Sequence, residues 1–109
     1  MISITDDEVQ SALDYLRDSA ARMGLAAANQ AKASAMLRHT KALAMKASDE
    51  NAISAQERDA YASPQYKTAI ENEFEAVKEF ATLRATREAA AAKLDCWRSS
   101  SANNRAARI

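Results

Sequence analysis

His39 and Cys96 are the only imidazole and the only thiol in the chain. A metal site or an acid–base pair at His39 needs a Cys, Asp or Glu about one helical turn away. The residues three and four positions from it are Ala35, Met36, Ala42 and Leu43. His39 is therefore read as structural or solvent-facing. Cys96 lies between Asp95 and Trp97 with no histidine within a turn, so a buried or half-buried thiol is expected rather than a nucleophile. Glu71, Glu75 and Glu79 recur every four residues and share one helical face, with Glu73 nearby. Carboxylate rows bind metal pairs in helical bundles when a Glu-x-x-His motif completes the set, and that motif is absent. The row is read as a solvated face or as the counterpart of a basic one. A single glycine excludes a Gly-rich phosphate loop, and one helical histidine leaves no Ser-His-Asp arrangement. No enzymatic activity, metal or cofactor is expected.

Two stretches have the composition of a nucleic-acid binder. Arg22, Lys32, Arg38, Lys41 and Lys46 are spread along one segment with no acid among them. The C-terminal stretch holds Trp97, Arg98, Arg105 and Arg108 with Ser and Asn between them: one stacking ring, three cations and flexible donors. Single-strand recognition uses those elements. The competing reading puts Trp97 in the core and leaves a soluble tail. The formal net charge is zero, so no global field favours DNA or an anionic membrane.

The elements that must carry these residues are long helices. The chain has 109 residues, about a quarter of them Ala, with one Gly and one Pro, which suits one all-α domain. Thr5 and Glu8 form a capping box, with acids in the first turn and Ile4 and Val9 spaced for a hydrophobic staple. A first helix is expected over about 6–47, with Gly24 its weak point. Ser54 and Glu57 read as a second capping box opening a short helix over about 55–62. Ser63 and Pro64 read as N-cap and first position of a third helix over about 64–98. Residues 1–98 thus make a helical hairpin, and residues 99–109 a flexible polar and basic tail.

Apolar spacing assigns a seam to each long helix. On the first it runs Val9, Leu13, Leu16, Ala20, Met23, Ala27. On the third it runs Tyr66, Ile70, Phe74, Val77, Phe80, Leu83, Leu94, Trp97. An antiparallel pairing of positions summing to about 110 sets Leu13 by Trp97 and Leu16 by Leu94. Charge agrees with that orientation: an acidic start faces a basic end, and the basic segment faces the glutamates. Leu25, Met36, Leu43 and Met45 lie partly off the seam and are assigned to a surface that packs on a second copy or on another protein. The lone cysteine points to a reducing compartment. No signal peptide is expected in M-I-S-I-T-D-D-E, and no apolar run is long enough to span a membrane.

Three segments resemble a family of short helical proteins encoded by tailed bacteriophages and prophages. They are Ala12 to Asp18 (A-L-D-Y-L-R-D), Glu57 to Tyr66 (E-R-D-A-Y-A-S-P-Q-Y) and Trp97 to Arg105 (W-R-S-S-S-A-N-N-R). The resemblance implies a location in the cytoplasm of a bacterial host cell. It also implies an accessory role in DNA recombination or replication, or in disarming a host factor. The expected function is non-enzymatic and works through protein–protein contact. Single-stranded DNA binding by the C-terminal stretch is the alternative.

Overall fold

A computed structural model describes residues 3–107. It is an all-α helical hairpin of three helices: α1 (Asp6–Ala47), α2 (Ile53–Tyr61) and α3 (Pro64–Ala107). The first cap is the expected one. The Thr5 N–H donates to Glu8 Oε2 and the Glu8 N–H donates to Thr5 Oγ1, both at 3.2 Å. Gly24 does not break α1, and its φ is not positive. A Cβ built there meets nothing within 4 Å. Gly24→Ala is therefore expected to stabilise the chain by about 1 kcal/mol and to raise Tm by about 4 °C in a circular-dichroism melt.

The turn after α1 is tied by side chains. Ser48 Oγ donates to Asp59 Oδ2 at 2.6 Å and accepts from the Glu50 N–H. Gln56 Nε2 donates to the Glu50 carbonyl at 2.9 Å. The expected cap at Ser54 is not used. Extended Ala52 precedes the helix, and its carbonyl accepts the first helical bond, from the Gln56 N–H at 3.0 Å. Ser63 joins α2 to α3: its hydroxyl donates to the Ala60 carbonyl at 2.7 Å and accepts from the Tyr66 N–H at 3.2 Å.

α3 continues to Ala107, so the segment 99–107 is helical rather than a flexible tail. No Gly or Pro interrupts it. Ser and Asn each cost well under 1 kcal/mol against Ala, too little to stop a helix already propagating.

The chain divides into two units. In the first, residues up to Gly24 pair with those from Ala81 on. Val9, Ala12 and Leu94 form its buried cluster, with Ile4, Leu16, Ala90 and Trp97 packed against it. Ser19 and Leu83 are also buried. The α1 seam is thus Val9, Ala12, Leu16, Ser19, Met23, and the expected Leu13 stands 47% exposed. Arg87 crosses the seam, where one guanidinium nitrogen donates to the Leu16 carbonyl at 2.8 Å and to the buried Ser19 hydroxyl. That bond sets Ser19 opposite Arg87, about one helical turn from the expected register.

The second unit is Leu25–Phe80. Its seam is Ala26, Gln30, Ala33, Leu37, Thr40, Ala44 on α1 and Tyr66, Ala69, Glu73, Ala76, Phe80 on α3, buried or half-buried throughout. Ala60 of α2 is fully buried. Spacings of three and four alternate along both strands of this seam, the repeat of an antiparallel coiled coil. Ile70, Phe74 and Val77, expected inside, are 47%, 63% and 38% exposed. Ala69, Glu73 and Ala76 hold their places, and the alanines allow the helices to approach closely because the facing side chains are small.

Charge pairs locally and does not lock α1 to α3. Arg17 meets Asp14 and Asp18, Arg84 meets Glu88, and Arg98 meets Asp95, each within one helix. Among the described residues no ion pair joins α1 to α3; the one between elements is Lys41–Glu57, α1 to α2, at 3.9 Å. Exposed pairs form with whichever opposite charge is nearest, and on a helix that is one turn away.

Candidate partner-binding surface

The residues with chemical potential stay apart. His39 is exposed, and among the described residues no three His, Cys, Asp or Glu side chains converge as metal ligands would. Cys96 is exposed, not buried, because the seam on its turn is taken by Leu94 and Trp97. Glu71, Glu75 and Glu79 are exposed, whereas Glu73 turns into the seam and is half-buried.

The one dense polar cluster lies where α2 docks on α1. The Lys41 ammonium stands 4.7 Å above the Tyr61 ring, and Tyr61 meets Tyr66 edge-on at 5.3 Å. Lys41 is held above the usual lysine range, first by its interaction with the Tyr61 hydroxyl and further by the charges of Tyr61, Glu57 and Tyr66; desolvation pulls the other way. A raised lysine pKa stabilises the fold fully below the ordinary lysine value. That contribution fades as the pH climbs through the folded value. The cluster clamps α2 to α1.

The open surface of the second unit is a groove between α1 and α3. Leu25, Met36 and Leu43 fall on one line of α1, since their separations of eleven and seven residues are close to whole numbers of turns. They are 62%, 47% and 54% exposed. Met36 lines a groove of about 530 Å³ with Lys32 and Asn72, and Leu43 lines one of about 610 Å³ with Asp49 and Asp59. Thr40 and Gln65 line both, so the two are continuous. The result is a trough with apolar side chains in the middle, a cation at one end and two carboxylates at the other. Met45 does not belong to it. It sits roughly 200° around the helix from Leu43 and is half-buried.

Three of the four candidate nucleic-acid contacts, Trp97, Arg98 and Arg105, lie together on one stretch of α3. Trp97 is half-buried against the Val9, Ala12 and Leu94 cluster, so its ring packs on the core. Arg98 is exposed but held 3.5 Å from Asp95. Arg105 is exposed, and both line a pocket of about 630 Å³ with Trp97, Ser101 and Asn104. Arg108 lies outside the described residues. No described helix is long and apolar enough to cross a membrane.

Sequence reasoning missed Ile70, Phe74 and Val77 as surface residues. The signal available was that the alanines at 69 and 76, one residue earlier, carry the same repeat as Ala26 and Ala33. No protein-family model, no curated protein and no solved structure matches this chain.

Proposed function

We propose that this protein is a non-enzymatic helical adaptor that holds an amphipathic helix of another protein in the groove beside Leu25, Met36 and Leu43. The observation behind this reading is the pair of half-exposed side chains Met36 and Leu43 in a trough whose ends carry opposite charge, with exposed Leu25 on the same line of α1 beyond Lys32. Helix-in-groove recognition uses an apolar stripe for affinity and end charges for direction. The guest has apolar residues at helical spacing, an acid near Lys32 and a base near Asp49 and Asp59. In line with the resemblance to short phage-encoded helical proteins, the guest belongs to a protein of DNA recombination or replication, or to a host factor. The zero net charge argues against a DNA mimic, which should be strongly acidic.

The test is photo-crosslinking from position 36 in the full chain, followed by titration of the identified protein. The Met36→Glu/Leu43→Glu variant is expected to weaken that binding by at least about thirtyfold, as loss of a hot spot does. Arg98→Ala/Arg105→Ala is expected to leave it unchanged. A steeply salt-dependent affinity for a single-stranded oligonucleotide, lost in the arginine variant, would overturn this reading in favour of DNA binding.

A further inference from the structure

We infer that the flank of α3 carrying Ile70, Phe74 and Val77 is a self-association face that pairs antiparallel with the same flank of a second copy. The three side chains lie within about 60° of one line on the helix, with Phe74 at its centre and the most exposed of them. Lys67 continues the line toward the N-terminus of α3. Glu71 and Lys78 border the row on one side, and both are exposed. Among the described residues neither takes part in an ion pair.

Those charges choose the occupant and its direction. A two-fold axis at Phe74 stacks Phe74 of one copy on Phe74 of the other. It brings Ile70 of each copy beside Val77 of the other. On the bordering side the same axis sets Glu71 of each copy beside Lys78 of the other, so two ion pairs form by symmetry. A parallel arrangement would set Lys67, on the row itself, against Lys67 and would put Glu71 and Lys78 of the two copies on opposite sides of the pair, where these ion pairs do not form. The patch is therefore complementary to itself in one orientation only, as an isologous interface requires. On this side of the unit α1 carries the small Ala27, Ala31 and Ser34, which let a second helix lie close, followed by Arg38 and then by Lys41 and Met45 where α2 docks. This face is separate from the groove at Met36 and Leu43, so a dimer leaves both grooves open.

Sedimentation equilibrium of the full chain between about 1 and 200 µM tests this. A dimer is expected. Phe74→Glu is expected to be monomeric with unchanged helical circular dichroism, because the side chain is already mostly exposed. Glu71→Lys is expected to weaken the dimer roughly tenfold, by turning two attractions into two repulsions. The double exchange Glu71→Lys/Lys78→Glu is expected to restore it. A wild-type monomer over the whole range would overturn the inference. So would a dimer that survives Phe74→Glu, or one that dissolves only in the Met36→Glu/Leu43→Glu variant, which would place the second copy in the groove. A wild-type monomer that still captures a guest at position 36 would leave the adaptor reading standing.

Discussion

Leu94→Ala is expected to lower stability by about 3 kcal/mol and Tm by about 12 °C. Leu94 is 7% exposed and is the one large aliphatic side chain within the cluster of Val9 and Ala12. Its neighbours in the cluster are small or already committed. Ala12 has no atoms to swing inward, Val9 is stiff at its first torsion, and Ile4, Leu16 and Trp97 already pack on the cluster's edge. Removing three carbons leaves a cavity that these residues fill poorly, and the cost is the lost transfer energy plus the unfilled volume. Leu13→Ala is the control. Leu13 is 47% exposed, so its loss is expected to move stability by no more than about 0.5 kcal/mol. Urea titrations followed by circular dichroism measure both. Similar losses at Leu13 and Leu94 would restore the seam that apolar spacing alone assigns.

Ala26→Leu is expected to cost about 2 kcal/mol, whereas Leu25→Ala, one residue away, is expected to change the isolated chain by less than about 0.5 kcal/mol. Ala26 is 3% exposed and sits in the seam of the second unit. Extra carbons there force the helices apart or push a neighbour off its rotamer, along a seam that elsewhere depends on Ala33, Ala69 and Ala76 being small. Leu25 is 62% exposed and lies on the groove side. Its truncation is expected to appear in partner binding and not in the melt. The usual expectation for an alanine and a leucine is reversed here, which makes the pair a direct measure of which side of α1 faces in.

The caps were readable because they are local. Thr5 with Glu8, and Ser63 before Pro64, need only their own turn to be recognised, and both act as read. All three helices and their order follow from the same kind of signal. The rotational phase of the seam was not readable in the same way. A repeat of four then three and a repeat of three then four both give a continuous stripe, and one residue of offset turns the helix by about 100°. Assigning the stripe to the largest apolar residues put Leu13, Ile70, Phe74 and Val77 inside. The fold instead chooses the phase that brings backbones close and places Ala12, Ala69 and Ala76 there. Choosing between the phases requires both helices at once, which a scan along one helix does not offer. The exposure of Leu25, Met36 and Leu43 was legible because either phase leaves them outside. Met45 was not, because α2 docks on its side of α1, where Lys41 meets Glu57 and Tyr61. The extent of α3 past Arg98 was hidden by a composition rich in Ser and Asn, which reads as loop only when no helix already runs into it.

The hairpin connectivity also sets an order of assembly. Thr40 and Tyr66, both in the seam beside the α2 turn, are separated by a short stretch that α2 already shortens. Val9 and Trp97 belong to one cluster but close a loop of almost ninety residues, and closure entropy grows with that length. Formation therefore starts at the turn, where Ser63 caps α3 and Ala60 is fully enclosed. Once those residues are paired, each further pair closes only a few additional residues, so the large entropic cost is met in small steps. The cluster of Val9, Ala12 and Leu94 is then expected to form last, because its two halves are far apart along the chain. Mutations near Leu94 should then speed unfolding with little effect on the folding rate, while changes at Ala60 should slow folding itself.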